Sequence, residues 1–379
     1  MKFKKVFLLA LTVSLIPMSQ VSASVKAATV ANVGDQCQNL GKVATGRGID
    51  GSDLVCMKMT WGSSKGQLTW WYPKLQPLKI FELIAPIESR NSDSPEVVAS
   101  RSADRIGKVI GLTLKKQELV KEYSSKNFTG GSGTWALSTF QSYRNRLATS
   151  FIASQSLVNG LITTKSGLKL TDSKPLAMFV REYEAIAVSR NSKYQALDQL
   201  ISDLRIDPKL VTFVGGKLGG IDHVFYAKIM IALGLDPKDG VYVPENSGFD
   251  VVSRTLSDKN VVALSVSGDF VTQVKDKKMR ILGVSSPEKL PWSIAKTLQQ
   301  QGMNIVYGNW YGLFVPPQFT ESETSNLIRL LDVLHNSEDW KQALSENYWS
   351  KAYMGQKEFL AHIDVQMTET RAVLKQLGF

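Results

Sequence analysis

The residue types able to do chemistry concentrate in residues 211–234, VTFVGGKLGGIDHVFYAKIMIALG. A short apolar strand (Val211, Phe213, Val214) runs into Gly215, Gly216, Gly219 and Gly220, and these open an amphipathic helix. On that helix Ile221, Val224, Phe225, Ile229, Ala232 and Leu233 recur at helical spacing, and Gly234 stands where a C-terminal glycine belongs. A glycine turn between strand and helix lets backbone N–H groups approach a ligand, and the helix dipole favours an anion there. The glycine order differs from the dinucleotide fingerprint, and Val241-Tyr242-Val243 supplies no acid for a ribose. Taken alone, the stretch fits equally well with glycines that only turn the chain. Asp222 and His223 follow the last glycine. Beside a serine-bearing loop such a pair raises the question of hydrolysis, yet no G-x-S-x-G elbow and no metal-ligand pair accompanies it. At a helix start His223 reads as a structural or ligand-contacting group ahead of a general base.

The elements that would position these residues repeat one unit. From Leu78 onward short strands alternate with helical stretches, the pattern of an α/β fold with a parallel sheet. Strand 79–85 (KIFELIA) leads into IESRNSDSPE, which carries Arg90 and Ser92; Ser94 then serves as N-cap and Pro95 as first helical residue. A strand at 119–123 precedes NFTGGSGT, bringing Gly130, Gly131, Ser132 and Gly133 to a helix start. Strand 241–244 precedes Asn246-Ser247-Gly248, and strand 261–266 ends in Ser267-Gly268-Asp269. Ligands of open α/β sheets sit outside the carboxyl ends of strands, so several such ends in two lobes point to an interlobe cleft.

Between these units, 151–157 reads as a strand and 176–188 carries Ala185–Val188 as a strand crossing to the second lobe. Ser192 is expected to cap a helix bearing Tyr194, Leu197, Leu200, Ile201 and Leu204. Segment 279–285 would return the chain to the first lobe, followed by a helix near 294–301 and the apolar segment 305–315. Three helices close the chain, the first with a Thr320/Glu323 capping box, and their apolar stripes are core rather than a cofactor box.

The 379 residues and 43% apolar content allow a large core in two or three domains. Residues 1–23 are set apart: Lys2, Lys4 and Lys5 precede the apolar run 6–17, and Val21-Ser22-Ala23 ends in small residues, the signature of an export signal. Cleavage after Ala23 removes three lysines from a net charge of +11 and leaves +8. The basic runs, Lys115-Lys116 and 275–278, are short and interrupted, a solvated surface rather than a nucleic-acid face. Cys37 and Cys56 in an exported chain are expected to form one disulfide, stapling a small β-module over 24–77; two free buried thiols are the alternative. Its Trp61, Trp70 and Trp71 form either its own small core or a carbohydrate platform. His223, His335 and His362 lie far apart without ligand spacing, so neither a metal nor another cofactor is expected.

From Leu78 to the C-terminus the order of segments resembles the substrate-binding receptors of tripartite tricarboxylate transporters. The resemblance rests on REYEAIAVSRNSKYQALDQLISDLRIDP, FVGGKLGGIDHVF, RILGVSSPEKLPWSIAKTLQQQGMNIVYGNWYGLFVPP and SEDWKQALSENYW. It implies a two-lobed periplasmic-binding (Venus-flytrap) fold, with lobe 1 over 78–185 and 280–379 and lobe 2 over 186–279. It implies an extracytoplasmic, monomeric, non-enzymatic protein that binds a small organic carboxylate and docks on integral-membrane transporter subunits. Gly219, Gly220 and His223 match the family's second-lobe loop, and Gly130, Gly131 and Gly133 its first-lobe loop. Asn309, Trp310 and Gly312 match a late loop whose tryptophan packs behind the cleft. The chain departs from the family in IESRNSDSPE, which lacks glycine and has Glu96 nearest the usual acid, and in Asn246-Ser247-Gly248-Phe249. Arg90 there either pairs with a ligand carboxylate or stays solvated. The competing readings are an envelope-attached carboxylate sensor and a secreted hydrolase.

Overall fold

The computed structural model describes residues 31–86, 102–128, 130–143 and 148–379. Residues 1–23, read above as an export signal, and Arg90, Ser92 and Ser94 lie outside them. The first strands are β1 (Val43–Ala44), β2 (Leu54–Lys58) and β3 (Leu68–Trp71), paired in that order as a small antiparallel sheet. Cys37 and Cys56 are disulfide-bonded, with Cα atoms 5.8 Å apart. The sheet has no separate interior. Trp71 and Tyr72 are buried in one core with Phe81, Leu114, Leu327 and Trp340, and Trp61 packs edge-on against Trp71 at 5.4 Å. Tyr72 donates its hydroxyl to Asp332 at 2.6 Å, and Arg329 pairs with Asp50 at 2.8 Å. The tryptophans therefore glue the module to the body instead of forming a platform.

The main sheet is built from β4 (Leu78–Pro86), β5 (Val120–Phe128), β6 (Ala148–Ser154), β7 (Lys174–Ser189), β8 (Thr212–Gly215), β9 (Val241–Pro244), β10 (Val261–Val266), β11 (Met279–Val284), β12 (Gly308–Val315) and β13 (Ser350–Gly355). Its path runs β5-β4-β6-β12-β7-β10-β8-β9, with β11 and β13 also paired to β7. β7 is the organising element, 16 residues long. Its residues through Tyr183 pair with β12 and β13, and those from Glu184 pair with β10 and β11. Parallel pairs β4–β5, β4–β6, β8–β9 and β8–β10 fill the two halves on either side.

The helices are α1 (Ser102–Lys116), α2 (Thr134–Ser142), α3 (Gln155–Thr163), α4 (Leu197–Ile206), α5 (Ile221–Ala232), α6 (Gly248–Ser257), α7 (Ser267–Lys275), α8 (Glu321–Asn336), α9 (Glu338–Glu346) and α10 (Gln356–Gln376). The Thr320/Glu323 capping box forms as expected: each side chain accepts the other residue's backbone N–H.

Four local expectations are corrected. The strand read at 151–157 ends at Ser154, whose hydroxyl accepts the Leu157 N–H and starts α3. Ser192 closes a local turn onto Tyr194, while Gln199 reaches back to the amides of Gln195 and Ala196 and starts α4 at Leu197. No helix covers 294–301 beyond the short 3-10 turn Gln299–Gln301, because the backbone there bonds to the end of β11: Val284 N–H donates to the Lys296 carbonyl and Leu298 N–H to the Val284 carbonyl. β11 itself pairs with Ala185–Ser189, and Leu282, Leu298, Met303, Ile305 and Tyr307 pack with Val224 and Phe225. That segment extends the second half rather than returning to the first, since its apolar side chains have their partners there.

Candidate ligand-binding cleft

A cleft of about 250 Å³ lies between the two halves. The first half contributes Ser132, Ser156, Asn159, Glu182, Asn309 and Tyr311. The second half contributes the glycine turn (Gly216 to Gly220), Asp222, Asn246, Gly248 and Ser265. Groups from the halves meet across it. Asn159 donates to the Gly219 carbonyl at 3.2 Å, and the Lys217 ammonium lies 3.4 Å from the Ser132 hydroxyl.

The glycine turn forms where it was expected, between β8 and α5, but most of its amides are already used. Gly216 N–H donates to Asp222 Oδ2 at 2.6 Å, Gly219 N–H to His223 Nδ1 at 2.9 Å, and Gly220 N–H to the Lys217 carbonyl at 2.9 Å. The Tyr242 hydroxyl adds a bond to the Gly216 carbonyl at 2.6 Å. The charge expected from a ligand at this helix N-terminus is thus supplied by the chain's own Asp222. His223 lies behind the turn, buried against Tyr226 and Tyr242. Burial pushes its pKa down to about 4. A neutral ring accepting a backbone amide at Nδ1 holds the loop and cannot serve as a base in the cleft.

Of the other expected residues, Gly130, Gly131 and Gly133 shape the first-half loop, and only Ser132 of that loop reaches the cleft. Gly133 has φ +90°, and a Cβ there would sit 2.8 Å from Leu157. Gly216, Gly219, Gly220 and Gly248 do line the cleft. Ser247 caps α6 through the Asp250 N–H at 3.2 Å and faces an adjoining hollow. Ser267 is buried and lies 3.3 Å from the Trp292 indole nitrogen, away from the cleft. Trp310, expected behind the cleft and also among its ligand-binding residues, is fully buried behind it and does not line it. It still acts on the cleft at one remove: its indole donates to Gln155 at 2.6 Å, Gln155 donates to Asn159 at 3.1 Å, and Asn159 grips Gly219.

The residues missed are the acids of β7. Glu182 accepts from Tyr311 at 2.8 Å, Ser102 at 3.1 Å and Trp349 at 3.1 Å. Burial nevertheless pushes its pKa up to about 7 against those donors. Glu184 is fully buried; burial first and the Asp222 charge second raise it well above the carboxylate range. Asp222 is raised by burial too, with the Gly216 amide opposing. The signal was present in REYEAIAV, where two acids at alternate positions interrupt a largely apolar strand. Among the described residues no group of three or more His, Cys, Asp or Glu side chains is placed to hold a metal ion, and no helix is long and apolar enough to cross a membrane.

No family model matches the chain, and no curated protein sequence matches it. Solved structures do. A TctC solute-binding protein from Polaromonas superposes with a TM-score of 0.65 at 16% identity, covering 80% of this chain and 99% of that one. An R. palustris protein solved with adipate gives 0.63 at 15% identity, over 81% and 98%. MatC from Rhodopseudomonas palustris, solved with malate, gives 0.60 at 12% identity, over 80% and 99%. These likenesses establish a two-lobed periplasmic-binding fold of mixed α/β type.

Proposed function

Starting from a two-lobed periplasmic-binding fold, we propose that the chain is an extracytoplasmic receptor. It captures a small organic carboxylate between its lobes and passes it to an integral-membrane transporter of the tripartite tricarboxylate type. It acts as an exported monomer, without catalysis, cofactor or nucleic acid. The observation that carries the reading is a polar cleft lined from both halves by loops at helix starts, with Asn159 and Lys217 reaching across it. Adipate and malate in structural neighbours point to the carboxylate class. The change of partners along β7 supports a lobe division between Tyr183 and Glu184, with residues through Tyr307 in the second lobe. The buried, neutral His223 supports binding without turnover.

A solute at a hundred times its Kd adds about 2.7 kcal/mol to the stability of the form that binds it. Thermal shift and calorimetry on the mature protein with mono-, di- and tricarboxylates are therefore expected to show a clear rise in Tm, with the solute recovered unchanged. Silence across such a set overturns the reading.

A further inference from the structure

Glu182 and Glu184 are two residues apart on β7 and so share one face of the strand, the face that Glu182 presents to the cleft. Their situations differ. Glu182 has three donors, whereas among the described residues no hydroxyl, amide or cation donates to either oxygen of the fully buried Glu184. The groups around it are further carboxyls: Asp222, which touches it and lines the cleft, then Asp269 and Glu182. Two carboxyls in contact away from water cannot both ionise, so the pair holds a proton between them. A buried carboxyl left so poorly matched is costly unless a counter-charge arrives. Within the described residues none does, and Asp222 is the member of the pair that lines the cleft.

Resting on the receptor reading above, we propose that the solute is an amine-bearing carboxylate, whose ammonium docks on Asp222 and Glu184 at the cleft floor. Its carboxylate then points toward Lys217 and Ser132, which face each other at the rim. An ammonium has three donors for a site rich in carboxyl oxygens, and a plain di- or tricarboxylate would set its own charge against the pair. On docking, the ammonium keeps its protons, the proton shared by Asp222 and Glu184 passes to solvent, and no covalent bond to carbon changes.

The test is calorimetry on the mature chain with two matched pairs, glutamate against glutarate and 5-aminovalerate against valerate, in two buffers of different ionisation enthalpy. The amine-bearing member of each pair is expected to bind at least about tenfold more tightly, a difference charge-assisted pairing readily supplies, with protons released. Asp222→Asn and Glu184→Gln should each erase that preference, and their melting curves verify folding. Equal or tighter binding of the plain carboxylates, or a preference that survives in both variants, overturns the proposal and leaves the receptor reading standing. Absence of binding by these pairs and by the wider carboxylate set overturns both.

Discussion

The loops at Gly130–Gly133 and Gly215–Gly220 look alike in sequence, each a strand running through glycines into a helix, yet they end up in different states. In the second, Asp222 and His223 of the first helical turn fold back and take the Gly216 and Gly219 amides. In the first, no side chain caps α2, and the glycines are shaped by apolar neighbours, Trp135, Leu157 and Pro86. Glycine supplies the bend in both. What the bend then offers a ligand is decided by the two or three side chains that follow it, because these reach the same amides first.

The comparison can be broken most forcefully at His223. His223→Ala leaves the Gly219 amide unpaired in a buried setting and empties the space beside Tyr226 and Tyr242. A loss of about 3 kcal/mol is expected from denaturant unfolding; a loss below about 1 kcal/mol would mean the ring does not hold the turn. Gly133→Ala tests the apolar loop: a Cβ at φ +90° meets Leu157 and Pro86, with an expected cost of about 2 kcal/mol in the same assay.

Glu184→Gln sharpens the contrast through pH. A carboxyl raised by burial holds its proton in the folded chain over a range where the unfolded chain, near 4.3, has lost it, so stability falls as pH rises through that range. His223, His335 and His362, all lowered to about 4 by burial, act in the opposite sense, but only below about 6.5, where the unfolded chain protonates them. Above that pH the slope belongs to the carboxyls. The glutamine variant is expected to gain about 1 kcal/mol over wild type at pH 8 and to differ little at pH 5. Parallel Tm–pH curves for the two proteins would refute this. Ser132→Ala, at the rim, should shift stability by less than about 0.5 kcal/mol while weakening solute binding several-fold by calorimetry.

Much of the framework was legible in the sequence. Glycines at strand ends, alternating apolar runs and the Thr320/Glu323 pair each have local causes, and each forms as read. The cysteine pair was expected to bond on the reading of an export signal, and Cys37 and Cys56 are bonded. Partner choice was not legible. Whether 279–285 pairs within one half or the other depends on which edge of β7 is open, and whether Trp310 faces ligand or core depends on Phe359 packing at 5.3 Å from it. The acids of β7 were visible as letters, but their meaning came only from Asp222, 38 residues further on from Glu184, arriving beside them.

The C-terminal helix has one further consequence. Phe359 and Ile363 of α10 are set in a first-half core, Val373 and Leu374 in a second-half core, and the Phe379 ring reaches His223 behind the glycine turn. Any swing of one lobe away from the other about β7 must therefore bend this 21-residue rod or pull its last turn free. How widely the two lobes gape is thus governed from outside the mouth, by a tether on the back.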